Sequence, residues 1–266
     1  MLLCLISFLV PVFGAKRADL ETFMNQLADV EDAICVNFVY EADTCEFAFE
    51  DWILAKAKQL DIPVRVLTLE GRKGLGYALN KGLDFCQSEY VIRHDVGDDL
   101  LSNRIKLISD VIAKNPNIDI IYSQAELQKG DMISISDYPD SIRKIRRSLI
   151  IRNPICHPTT VLKKRSIENI GSYNERLRYC EDLDLWLRSI KAGLKFYCIN
   201  LPTIKYFCPM TTRNTENWKT NLKVRLDNYS SPNMLYGICG IIIISLYVML
   251  PEKIKIGLYD VFKKNH

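Results

Sequence analysis

Residues 63–99 read PVRVLTLEGRKGLGYALNKGLDFCQSEYVIRHDVGDD, and the order of their parts decides the fold. Residues 63–69 are a short run rich in Val and Leu, the pattern of a buried strand. A glycine-rich turn follows, then a helical stretch over 76–86 and a second apolar strand over 89–93 that runs out into an acidic loop. Strand, helix and strand at these lengths make a parallel β-α-β unit. Working toward the N-terminus, the same rhythm gives a helix over 48–60 and a strand over 33–40. Before these comes a helix over 17–30, with Leu20, Phe23, Met24 and Leu27 on one face, and a first strand over 2–12. Toward the C-terminus it gives a helix over 101–114 and a strand over 118–123. The expectation is an α/β doubly wound sheet with right-handed crossovers, which binds ligands beyond the C-terminal ends of its strands.

From residue 126 the alternation weakens. Residues 129–139 read as a loop or short hairpin, 141–151 as a helix, 157–163 as a strand and 180–192 as a strong helix. Apolar residues make up 48% of the 266-residue chain and charged residues 25%, which excludes a disordered, collagenous or coiled-coil chain. The formal charge is only +3, too small to point to a nucleic-acid partner. From residue 209 onward there are 8 basic and 4 acidic residues, so the positive excess lies in the tail. The 9 cysteines are scattered without a C-x-x-C pair, which argues against zinc and disulfide frameworks and for a reducing, cytoplasmic compartment. The apolar N-terminus has no Lys or Arg before Lys16 and reads as a strand rather than a secretory signal.

Four stretches could carry chemistry. Arg93-His94-Asp95-Val96-Gly97-Asp98-Asp99 gathers three carboxylates at a strand end, where like charges repel unless a hard divalent cation such as Mg²⁺ or Mn²⁺ is shared among them. The alternative is that Asp98 and Asp99 cap the next helix. Gly71-Arg72-Lys73-Gly74-Leu75-Gly76, with Asn80 one turn on, allows close backbone approach to a ligand, yet it fits neither the P-loop nor the dinucleotide fingerprint. Glu181-Asp182-Leu183-Asp184-Leu185-Trp186-Leu187-Arg188 opens a helix. Trp186 belongs to its apolar stripe, Asp184 and Arg188 read as a surface pair, and Glu181 or Asp182 is either a general base or an acid placed to suit the helix dipole. Asn153-Pro154-Ile155-Cys156-His157 acquires meaning only from its neighbours.

Taken in order, GLGYALNKG at 74–82, Arg93 to Asp98 with Arg104, Asn153 to His157, Gly171-Ser172-Tyr173 and EDLDLWLR at 181–188 resemble a family 2 glycosyltransferase, particularly the bacterial enzymes that build cell-surface polysaccharide. The resemblance covers about 2–209 and implies a GT-A, Rossmann-like, doubly wound mixed sheet with a C-terminal helical tail. It implies a nucleotide-sugar half at about 1–125, an acceptor half at about 126–209, and a tail from 210 to 266. By the resemblance, Val12, Glu41 or Asp43, Arg72, Gly74, Asn80, Arg93 and His157 would bind substrate. Asp95 and Asp98 would hold the ribose and a metal–diphosphate, and Asp182 would be the base of an inverting transfer with Glu181 assisting. The implied partners are a nucleotide-sugar donor and a saccharide or lipid-linked acceptor, with no nucleic acid.

Two positions depart from the family pattern. Asp-x-Asp-Asp appears as Asp95-Val96-Gly97-Asp98, and the second strand ends in Glu41-Ala42-Asp43-Thr44. A non-catalytic nucleotide-sugar-binding protein of the same fold is the alternative that Gly97 raises. Residues 234–250 carry no charge and precede Lys253, Lys255, Lys263 and Lys264. This segment could span the membrane, lie in the interface or pack on the domain, so the expected place is the cytoplasm, with attachment to the inner face of the cell membrane as an option.

Overall fold

A computed structural model describes residues 5–30, 34–149, 152–208, 214–228 and 234–250. The strands β1 (Ile6–Val12), β2 (Cys35–Glu41), β3 (Val64–Leu69) and β4 (Tyr90–Arg93) pair in parallel in the order β3-β2-β1-β4. Both faces of β1 are covered, which is why ISFLVPV lacks polar alternation. Phe8, Val10 and Val12 face one core, built with α1 (Arg17–Ala28), α2 (Phe49–Leu60) and α4 (Arg104–Lys114). Leu9 faces a second core with α3 (Leu75–Phe85). The helix faces read from the sequence are the buried ones, Leu20, Phe23, Met24 and Leu27 in α1.

β1 stays paired with β4 only as far as Leu9, whose carbonyl accepts the His94 amide at 3.2 Å, whereas it stays with β2 to Val12. Alternate residues of a strand turn their amides to the same side, so Pro11, two residues after Leu9, lacks its N–H on the side that β4 has already left. A proline is tolerated in this central strand for that reason, and the sheet splits there into a cleft.

The second half completes a mixed sheet, nine-stranded among the described residues. β8 (Val161–Lys163) runs antiparallel to both β4 and β6 (Ile120–Lys129), and β9 (Phe196–Phe207) runs parallel to β6. β5 (Asp99–Leu100) pairs with β9, and β7 (Met132–Ile135) forms a hairpin with β6. Around them lie α5 (Ile142–Ser148), α6 (Lys164–Asn169), α7 (Glu181–Lys191), α8 (Thr215–Asp227) and α9 (Met234–Met249).

Several expectations change. Residues 157–163 are a 3-10 turn, His157–Thr159, followed by the three residues of β8, because Pro158 cannot donate to a ladder. The helix after the acidic loop starts at Arg104, since Asp99 and Leu100 are drawn into β5. Asp184 and Arg188 are not a surface pair. Asp184 is 4% exposed and takes hydrogen bonds from Arg188 Nε (2.8 Å) and Asn228 Nδ2 (2.9 Å), while Arg188 donates to the carbonyls of Ile170 and Ser172. The i,i+4 spacing is as read; the 170–172 loop and the end of α8 cover it. The expected first strand begins within the described residues at Ile6, and residues 1–4 lie outside them.

Gly82 explains the last glycine of GLGYALNKG. A Cβ there would come within 2.2 Å of Leu9 Cδ1 and 2.8 Å of Val39 Cγ2, both in the core between α3 and the sheet. Gly82→Ala is expected to destabilise the fold by about 1–3 kcal/mol through overpacking, read as a lowered urea midpoint at unchanged slope.

Candidate active site

The cleft at the split in the sheet is a cavity of about 800 Å³. Strand ends and the loops after them form it: Val12 ends β1 and Phe13 follows it, Glu41 ends β2, Arg72 and Gly74 lie between β3 and α3, and Asp95 follows β4. Glu41 is buried, with Oε2 lacking any partner, and burial raises its carboxyl above the ordinary value against the opposing charge of Arg72. Arg72 lies over the exposed Phe13 ring at 4.1 Å. Together they offer a flat cationic and aromatic surface beside a buried acceptor, a combination suited to a planar base with N–H donors.

The acidic loop closes one side. The Asp98 amide donates to the Asp95 carbonyl at 3.3 Å, and Gly97 sits at φ +104°, the positive value that the third residue of a type II turn needs. The turn places Asp95 and Asp98 three residues apart on one bend. Asp95 is ion-paired with the buried Arg93. Asp98 Oδ1 accepts the Phe207 amide at 3.2 Å, while the buried Oδ2 has no partner. Burial first, then the charge of Asp95, pushes the Asp98 carboxyl up to about 7. The capping alternative fails: α4 is preceded by Asn103 without a side-chain cap, and Asp99 instead receives Gln26 Nε2 at 3.2 Å and faces Lys205 at 4.0 Å.

Among the described residues no group of three His, Cys, Asp or Glu side chains could enclose a metal ion. Mg²⁺, however, is commonly held by one or two carboxylates plus water and substrate phosphates. Asp95 and Asp98 supply two, and the orphaned Oδ2 of Asp98 is an oxygen that a cation would satisfy. Asp95 lines the large cavity, where it could share such an ion with a substrate, whereas Asp98 lines neither cavity and its Oδ2 is buried behind the loop.

A second cavity of about 300 Å³ adjoins the first, and Leu75, Arg178 and Tyr179 line both. Glu181 and Asp182 face it from the first turn of α7. Asp182 Oδ1 accepts the Leu183 amide at 2.7 Å, as an acid at a helix start does, while Oδ2 accepts a short hydrogen bond from Asn153 Nδ2. Burial and then the Asp182 charge raise the Glu181 carboxyl to about 7.

Of the residues expected to bind substrate, Val12, Glu41, Arg72, Gly74 and Asp95 meet around the large cavity, and Glu181 and Asp182 around the small one. The structure does not bring the others to either lining. Asp43 stands in a turn at φ +60°. Asn80 is consumed in joining α3 to the loop between α6 and α7, donating to Tyr173 O (2.9 Å) and Glu175 Oε1 (2.8 Å) and accepting the Tyr173 amide (2.8 Å). His157 is buried, its Nε2 bonded to the Tyr173 hydroxyl at 2.8 Å, with burial, then Arg93, holding its pKa well below the ordinary value. Arg93 stands behind Asp95. These three support the site rather than line it. Lys16, Arg178, Tyr179, Asn153, Asn217 and Asn221 line the cavities without having been singled out; only Asn153 lay within a stretch that the sequence marked.

Asp98 makes stability depend on pH. The unfolded chain releases this proton near 4 and the folded chain holds it to about 7, so stability falls as pH rises through that window. Asp98→Asn is expected to remove this slope, a difference of at most about 4 kcal/mol between pH 4 and 8, read as thermal midpoints of both proteins in metal-free buffer.

Comparison with known proteins points the same way. Residues 50–170 match the profile of glycosyl transferase family 2. The UDP-Gal:alpha-D-GlcNAc-diphosphoundecaprenol beta-1,3-galactosyltransferase of Escherichia coli is 37% identical over 135 residues, 49% of this chain and 48% of that protein. The amylovoran biosynthesis glycosyltransferase AmsE of Erwinia amylovora is 31% identical over 135 residues, 50% of each. The chain spans about half the length of these relatives. Among solved structures, Staphylococcus aureus TarS 1–349 in complex with UDP-GlcNAc superposes with TM-score 0.66 at 15% identity, over 84% of this chain and 66% of that one. Mannosyltransferase PcManGT from Pyrobaculum calidifontis, in complex with GDP-Man and Mn²⁺, gives 0.63 at 12%, over 92% and 70%. At such identities the likeness establishes the fold, which is GT-A.

Proposed function

We propose that this chain, whose residues 50–170 match the profile of glycosyl transferase family 2, carries out an inverting transfer of a sugar from a nucleotide-sugar donor to a hydroxyl of a saccharide acceptor. The observation that carries this reading is the shared rim of the two cavities: Leu75, Arg178 and Tyr179 belong to both. A donor lying in the larger cavity then presents its anomeric carbon to a hydroxyl held in the smaller one, beside the carboxylate pair.

In this reading Glu41, Arg72 and Val12 surround the nucleoside. Asp95, with Asp98 behind it, would hold a divalent cation, Mg²⁺ or Mn²⁺, whose charge would offset that of the departing diphosphate. Arg72, Lys73 and Arg178 add fixed positive charge in the same cavity. Asp182 takes the proton of the acceptor hydroxyl as its oxygen bonds to the anomeric carbon. The bond from that carbon to the phosphate oxygen breaks on the opposite face, its electron pair leaves with the nucleoside diphosphate, and the configuration inverts. Asn153 fixes the Asp182 carboxylate through Oδ2, and Glu181 keeps a second acidic group beside it.

The Escherichia coli relative is named for a lipid-diphosphate acceptor and the Erwinia relative for polysaccharide synthesis, which supports a lipid-linked saccharide in cell-surface polysaccharide assembly. Among the described residues no helix is long and apolar enough to cross a membrane. α9 has 16 residues, about 24 Å at 1.5 Å each against a hydrocarbon core of about 30 Å. It carries exposed Ile242, Ile243, Leu246 and Met249, and the sequence continues into Lys253, Lys255, Lys263 and Lys264, which lie outside the described residues. An apolar helix next to lysines suits the interface of an anionic leaflet, at the cytoplasmic face of the cell membrane.

Titration calorimetry with UDP and with GDP, each with Mn²⁺ and with chelator, tests the donor site; metal-dependent binding of one nucleotide is expected, and binding of neither by folded protein overturns the reading. Asp182→Asn is expected to lower kcat by about 10²–10⁴ while leaving nucleotide affinity within about twofold; near-wild-type turnover removes the base assignment. Co-sedimentation with vesicles should rise with their content of anionic lipid and fall on Leu246→Glu, and equal pelleting of both proteins would refute the interfacial helix.

A further inference from the structure

One wall of the smaller cavity comes from α8, beyond the segment 50–170 that matches the family. Asn217 and Asn221, one helical turn apart, stand there opposite Glu181 and Asp182. α8 is fixed to α7 at three points. Val224 enters the core that holds Trp186. Asn228 bonds Asp184, and the Cys180 thiol meets Asn217 and Asn221. The wall is therefore built rather than incidental.

Its hydrogen bonding is weak where it faces the cavity. Asn217 Oδ1 receives the Cys180 thiol at 3.7 Å, and Asn221 Nδ2 reaches the same sulfur at 3.9 Å. Sulfur is a poor donor and a poor acceptor, so a hydroxyl would displace it with a net gain. The far side of Asn221 is held firmly: its Oδ1 accepts from the buried Arg225 Nε at 2.8 Å, which orients the amide with its nitrogen toward Cys180. An amide both donates and accepts, as a sugar hydroxyl does. Carboxylates alone would only accept, and an apolar wall would do neither.

We infer that Asn217 and Asn221 of α8 read the hydroxyls of the acceptor sugar and so select which ring reaches the carboxylate pair. The inference rests on the transferase reading of the same site. At about 300 Å³ the cavity stands at the small end of ligand pockets and suits a single pyranose ring. The selecting element thus lies on the helix that also carries α9, whose Tyr247 ring packs on Trp218 at 4.6 Å. A lipid-linked acceptor and the wall that reads it would then be presented by one two-helix unit.

The test is saturation-transfer NMR with methyl α-glycosides of glucose, galactose and N-acetylglucosamine, in the presence of saturating UDP and diamagnetic Mg²⁺. At least one glycoside is expected to bind the wild-type chain. Asn217→Ala, at a half-buried position, is expected to weaken it at least fivefold, with UDP affinity and thermal midpoint unchanged; Asn217→Gln should recover part of the binding. The inference is overturned if no glycoside binds, or if Asn217→Ala binds as tightly as wild type. Loss of UDP binding in wild type counts instead against the transferase reading, and so does full turnover by Asp182→Asn.

Discussion

Two buried guanidinium groups stand behind the acidic loop, and the arrangement of the site depends on them. Arg93 is 2% exposed and Arg104 fully buried. Taking such charges out of water costs several kcal/mol each unless ion pairs and hydrogen bonds replace the lost hydration. Arg93 meets part of the requirement through its ion pair with Asp95, while its Nε has no hydrogen-bond partner. Arg104 donates to the carbonyls of Arg93 (2.9 Å) and Pro158 (2.7 Å) and to His94 Nδ1 (3.0 Å). His94 stays neutral, because burial first and then the two arginines push its pKa well below the ordinary value. A neutral imidazole can accept from Arg104; a charged one could not. The end of β4, the 157–159 turn and the start of α4 are thereby locked to one another, and the acidic loop projects from that lock.

A second set of polar ties joins the parallel first half of the sheet to the second half of the chain. Asn80 of α3 grips the backbone of Tyr173, the Tyr173 hydroxyl meets His157, and the His157 ring stands edge-on to Trp186 at 6.0 Å. On the other side of the same loop Arg188 holds the carbonyls of Ile170 and Ser172. Between these grips the chain runs through 174–179 to the rim that the two cavities share, so Arg178 and Tyr179 are placed by residues outside both linings. Asn80 and His157 carry the marks of a functional stretch for this reason: they position the rim and need not touch a substrate to do so.

The parts legible in the sequence were those governed by local periodicity. Four parallel strands, the helices between them and the buried stripe of α7 follow from apolar spacing alone, because each is covered on both faces or one. β9 escaped, since Pro202 interrupts it and its pairing with β6 shifts register twice between Ser123 and Glu126, so neither alternation nor an apolar run survives. The acidic loop and the pair at 181–182 could be found because unlike chemistry was concentrated in a few residues. Asn217, Asn221 and Arg178 could not be found that way. They are ordinary polar residues whose role arises only where α8 and the 174–179 loop approach α7, a tertiary event that leaves no periodic trace.

Gly97 shows how a departure from a motif can preserve its physics. With an aspartate there, a side chain would have to adopt φ near +104°, a conformation that L residues rarely take and that costs on the order of 1–3 kcal/mol. With glycine, the turn closes freely through the Asp98 amide and the Asp95 carbonyl. The two remaining carboxylates then repel each other, one stabilised by Arg93 and the other left with an unpartnered oxygen in a buried setting. That state is poised rather than relaxed. In the proposed reading, a cation reaching the buried Asp98 oxygen would offset both the repulsion from Asp95 and the desolvation that raise this carboxyl, which would link metal uptake to proton release there.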